Sequence, residues 1–138
     1  MKSYLGTKAI LAQPMTLGEY NSYRGWDMPE NEEPETPGYF IEYTDGGKPN
    51  HPDHKGYISW SPADVFERSY KPSDTFQARL IIERDELSDK LGKLDAFLLT
   101  DAKLNLSDRA QQLLNEQSSV MHDYLGILNE RIAEVANV

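Results

Sequence analysis

The sequence predicts an α+β protein: a small N-terminal antiparallel sheet followed by a C-terminal antiparallel two-helix hairpin that mediates oligomerisation. All eight prolines, both tryptophans and seven of the eight tyrosines lie at or before Pro72. Beyond it, leucines recur at threes, fours and sevens with no proline to interrupt a helix. Residues 1–72 therefore read as a β-rich unit with short helices, and residues 73–138 as a helical hairpin that builds the oligomer and a ligand pocket.

Residues 7–13, TKAILAQ, form an apolar run ended by Pro14 and read as the first strand. Thr16 and Glu19 have the T-x-x-E spacing of a capping box, and Gly25 stands where a short helix should stop. The acidic, proline-rich stretch DMPENEEPETPG reads as a solvated connector. Tyr39, Ile41 and Tyr43 alternate with Phe40 and Glu42, the period of a strand, and Asp45-Gly46-Gly47 supplies a turn. Tyr57–Trp60 is the next strand. Ser61 as N-cap, Pro62 at the first helical position and Asp64 beyond predict a helix to about Tyr70.

Asp74, with Gln77 as its partner, is expected to cap the first long helix, whose stripe is Leu80, Leu87, Leu91, Leu94 and Leu98, with Arg84 among them. That helix should end near Thr100, and Ser107 should cap the last one, about Asp108 to Ala136. So short a link makes the two antiparallel neighbours. The last helix shows one stripe of Ala110, Leu114, Gln117, Met121, Tyr124, Leu128, Arg131 and Val135, beside a second of Leu113, Val120 and Ile127. Both are too wide for one partner helix. Each aliphatic side chain left wet forfeits about 1.5–3 kcal/mol, so another subunit is expected to cover the second stripe.

The formal charge is −9, with 12 acids against 7 bases in residues 1–74 and 11 against 7 in the remainder. An evenly anionic surface repels long nucleic acids, whereas a few focused arginines can still hold a small anion because surface charge is screened within about 8 Å. Cysteine is absent, which removes disulfides and thiolate chemistry. No apolar run approaches the roughly 20 residues of a membrane span, and MKSYLGTK lacks the apolar core of a secretory signal; the expectation is a soluble, intracellular chain.

Three constellations are candidates for chemistry. His51-Pro-Asp-His54 has an H-x-x-H spacing, but proline makes it a loop and only distant His122 remains as a third ligand, so a polar loop is preferred to a metal site. In Tyr23-Arg24-Gly25-Trp26, a guanidinium between large aromatics suits a phosphate with a stacked base, and equally a core tryptophan covered by an arginine stem. The third set is Arg84, Gln117, Tyr124 and Arg131 on the helical seams, with Phe97 and Arg109 near the hairpin end. Seam polar residues fix register and oligomer state; where two hairpins meet they also line a cleft suited to a nucleotide. Ser59 and Ser61 lack a nucleophile elbow, and Asp45-Gly-Gly-Lys48 lacks the Walker frame, so neither a catalytic residue nor a cofactor is expected.

The order YLGTKAI, PMTLGEYNSYRGW, GYFIEY, DGGKPN and GYISWSPADVF, followed by ERDELSDKLGKLDAFL and LLNEQSSVMHDYLGILNERI, resembles small tailed-phage proteins, the first Thoeris anti-defence family among them. The resemblance covers nearly the whole chain. It implies a homo-oligomer, dimeric and then hexameric, that acts as a sponge in the host bacterial cytoplasm. Such a sponge binds a cyclic ADP-ribose isomer, and in some members cyclic oligonucleotides, without cleaving them. It also implies a site of aromatic rings and arginines: Arg24 with Trp26, and on the helices either Phe97 with Arg109 or Tyr124 with Arg131. The competing expectations are a module that docks on a host protein and, more weakly, a hydrolase of a nucleotide signal.

Overall fold

The computed structural model describes residues 1–137. Tertiary contacts divide the chain into a unit from Met1 to Tyr70 and a second beginning at Lys71.

The first unit contains β1 (Ile10–Pro14), α1 (Leu17–Arg24), β2 (Gly38–Tyr43), β3 (Ile58–Pro62) and α2 (Ala63–Ser69). The strands form an antiparallel sheet in the order β1-β2-β3. Strand β1 starts later than the apolar run suggests and includes Pro14, which an edge strand tolerates because its missing N–H leaves no central ladder bond unmade. Register places Leu11, Glu42 and Ile58 in one row and Gln13, Phe40 and Trp60 in the next, on the same face. That face meets α1, where Tyr20, Phe40 and Ile58 form the buried core with Met15 and Trp60 packed against it. On the opposite face Phe66 of α2 stacks on Tyr39, with ring centroids 4.0 Å apart.

Local chemistry sets the ends of α1. Thr16 Oγ1 accepts from the Glu19 N–H while Glu19 returns the bond to the Thr16 N–H at 2.8 Å, so two otherwise orphaned donors are satisfied. Gly25 closes the helix at φ 72°, the left-handed conformation that glycine adopts without steric cost. Gly38 answers a different need: the Trp60 ring lies where a Cβ would project, and the indole N–H donates to the Met15 carbonyl at 2.8 Å.

Two expected caps are replaced by their neighbours. Ser61 remains in β3, paired with Tyr39, and Pro62 takes the cap position of α2 without a side-chain bond, because the sheet ladder claims the serine backbone. Thr75, not Asp74, caps the first long helix, its hydroxyl accepting from the Ala78 N–H at 3.0 Å.

The second unit is an antiparallel pair, α3 (Phe76–Leu98) and α4 (Asp108–Ala136), joined by a 3-10 turn over Asp101–Asn105. Ser107 caps α4 as expected, accepting from Ala110. On α3 the inward set follows the expected stripe, with Leu80 and Leu91 buried and Arg84 partly so. On α4 the inward face is partly rotated from the expected one. Ala110, Leu114, Met121, Leu128 and Val135 of the expected stripe are withdrawn from solvent, joined by Gln111, Ser118, Leu125 and Ile132; from Gln111 onward the steps alternate between three and four. This is a heptad seam, and Leu128 is fully buried at its centre. Gln117, Tyr124 and Arg131 belong instead to an exposed seam with Leu113, Val120 and Ile127. The polar residues thus share the second stripe because a helix turns about 100° per residue, and one position moves a side chain to the adjacent face.

Candidate functional site

In the first unit, α1 ends on Arg24, whose guanidinium carbon lies 4.4 Å from the Trp26 ring centre and 6.0 Å from that of Tyr20. Trp26 meets Tyr20 edge to face and stays 52 % exposed, so its ring both supports the guanidinium and faces solvent. Burial raises the Tyr20 phenol above its usual range, and the charge of Arg24 opposes that shift. Among the described residues, Arg24 Nη1 is a buried side-chain donor without a hydrogen-bond partner. A buried cationic N–H left unpaired is costly, and an anionic oxygen would satisfy it.

The structure brings together a second group that the sequence left dispersed. The Glu42 carboxylate accepts from His54 Nδ1 at 2.9 Å and from the Gly56 N–H at 3.0 Å, and these bonds, the imidazole's first, hold it below the usual carboxylate range. His54 Nε2 lies 2.5 Å from the Tyr23 hydroxyl. In the neutral tautomer with its proton on Nδ1, His54 donates to Glu42 and accepts from the Tyr23 hydroxyl at Nε2. His51 stacks on Tyr23 at 4.8 Å, and its Nδ1 accepts from the Asp53 N–H. Asn50 fixes the loop by bonding both the N–H and the carbonyl of Ile58. The overlooked signal was Glu42, an acid on the strand face that otherwise carries Phe40. The H-x-x-H loop is held by the bonds of His54 to Glu42 and Tyr23; among the described residues no group of three or more His, Asp or Glu is placed to hold a metal ion.

The helical candidates occupy distinct places. Tyr124 donates its hydroxyl to Glu83 of α3, and its ring stays 42 % exposed. Arg131, seven residues or about 10 Å further along the same face, lies 5.8 Å from the Phe76 ring. Arg84 bonds Asp85 and reaches Asn129 of α4 at 3.2 Å, a register contact between the helices. Phe97 is half-buried in the last turn of α3, where its carbonyl accepts from Thr100. Arg109 is exposed and bonds Gln112 at 3.1 Å. The cation–aromatic contacts among the described residues involve Lys8, Arg24 and Arg131, so Phe97 and Arg109 are not paired in that way within one chain. Asp95 accepts from Ser118 at 2.6 Å and from His122 at 2.8 Å, clamping α3 to α4.

No helix among the described residues is long and apolar enough to cross a membrane. Neither the curated proteins nor the solved structures contain a significant match to this chain. The helical unit does have a counterpart: residues 74–134, from the residue before the α3 cap almost to the end of α4, match the family model described as Sequestin.

Proposed function

We propose that this chain is a phage anti-defence protein that binds a cyclic nucleotide-derived immune signal and sequesters it without cleaving it in the host bacterial cytoplasm. The signal class is a cyclic ADP-ribose isomer, with cyclic oligonucleotides as a second class. The carrying observation is the match of residues 74–134 to a family whose name denotes sequestration. The geometry adds chemical support, since Arg24 combines an unpartnered buried N–H with an exposed indole, and Tyr124 and Arg131 share an exposed face of α4. On this reading Arg24 and Trp26 in the first unit, and Tyr124, Arg131, Phe97 and Arg109 in the second, are the residues that hold phosphates and bases.

Capturing a scarce messenger requires a nanomolar Kd, about 12 kcal/mol, and a stacked base supplies only roughly 1–3 kcal/mol. Charge-assisted bonds from arginines on a rigid assembly would supply the rest. The exposed seam Leu113, Val120 and Ile127, spaced by sevens, supports a homo-oligomer in which a second copy covers α4. Dimer formation through this seam, and hexamers built from such dimers, complete the proposal.

Incubating the purified protein with cyclic ADP-ribose isomers and cyclic oligonucleotides, followed by calorimetry and heat release, tests it. Intact ligand in the released fraction is expected, and Arg131→Ala should weaken binding while leaving the helical fold in place. Absence of binding to every one of these ligands overturns the reading, and a chemically altered ligand on release identifies a hydrolase. The same exposed seam favours a second reading, a module that docks on a host protein. A stoichiometric protein partner surviving high salt, with no small molecule retained, would select it.

A further inference from the structure

The Glu42–His54–Tyr23 chain borders a groove of about 290 Å³ in the first unit, outside the segment that matches Sequestin. The groove has a structural origin. Tyr20 of α1 packs on Phe40 of β2 and Ile58 of β3, while Leu11 and Gln13 of β1 remain exposed on the face that carries Phe40. Leu11, Met15 and Phe40 give it apolar walls, while Tyr23 and Gln13 contribute polar groups. Its volume is near the lower end of the roughly 300–1,000 Å³ of small-molecule sites, which suits one ring system.

The hydrogen-bond inventory sets the chemistry of the occupant. In the neutral His54 tautomer that donates from Nδ1 to Glu42, Nε2 accepts the Tyr23 proton, and the phenol oxygen offers acceptor lone pairs alone. The Gln13 amide offers one acceptor and a donor pair, the complement of a ring nitrogen beside an exocyclic amine. We propose that this groove is a binding site for an aminopurine ring, with Tyr23 and Gln13 reading the amine edge and Leu11, Met15 and Phe40 contacting the faces. The site is formed within the first unit and does not depend on the sequestration reading.

The test is calorimetry of the intact protein with adenosine and with purine riboside, which lacks the amine. Adenosine should bind once per chain and purine riboside about tenfold more weakly, the scale of one or two hydrogen bonds. Tyr23→Phe should erase that difference with the tryptophan near-UV signal unchanged. Leu11→Trp, which fills the groove from an exposed rim position, should abolish binding of both and serves if Tyr23→Phe fails to fold. Equal affinities in the wild-type protein, no adenosine binding, or binding untouched by Leu11→Trp would overturn the site.

Discussion

The two units bury their interiors by opposite means. The sheet unit relies on a few large rings, Tyr20, Phe40 and Trp60 around Ile58, and ties its long loop down with polar bonds from Glu42, Asn50 and His54. The helical unit relies on repetition, one heptad seam closed between α3 and α4 and another left open on α4. An aromatic core tolerates irregular backbone because each ring covers much area, whereas a seam of aliphatic side chains needs length and a partner at every turn. The difference gives them different characters: preorganised polar groups in the first unit, and an exposed aliphatic seam in the second.

The sharpest test of separate interiors is Leu128→Ala. Removing this fully buried side chain should destabilise the hairpin by about 2–5 kcal/mol. Both tryptophans lie in the sheet unit, so their fluorescence in urea should move little while the helical ellipticity falls at lower denaturant. Ile58→Ala should do the reverse. Coincident shifts of both signals in both variants would break the distinction drawn here.

Substituting Val120 and Ile127 together by glutamate addresses the open seam. Both side chains are exposed in one chain, so the hairpin should retain its helicity while sedimentation shows dissociation to monomers. Retention of the wild-type mass would remove this seam as the proposed assembly surface.

The smallest effect concerns the clamp at Asp95. The hydrogen bond from Ser118, followed by that from His122, holds this carboxyl below its usual range. Its contribution to stability is therefore present above the unfolded carboxylate range and is lost as pH falls through the folded value. Acid melting of the hairpin should be slightly less steep in Asp95→Asn than in the wild type; equal slopes would show that the clamp carries no proton linkage.

Much of this architecture was legible because it is local. Thr16 with Glu19, Gly25 and Ser107 each act within one helical turn, and the composition break at Pro72 separates the two styles of packing. Where two neighbouring residues could do the same job, local reading chose the wrong one, as with Asp74 beside Thr75 and with Ser61, which the sheet claimed. The face of α4 was read only in part for a related reason. Two heptad patterns overlap on that helix, and nothing in the sequence alone states which of them turns toward α3. Of the candidate ligand residues, Arg24 and Trp26 were readable as neighbours in the chain, whereas the pairing of Tyr124 with Glu83 and of Arg131 with Phe76 depends on helices meeting.

The sequence by itself determined the α+β class, the hairpin and most helix ends, because propensity, capping and periodicity act over a few residues. Only tertiary structure decided which α4 stripe is buried, that Glu42, His54 and Tyr23 join across 12 and 31 positions of chain, and that Arg24 keeps an unpaired donor. Those outcomes depend on distances between segments remote in sequence, which no local pattern encodes.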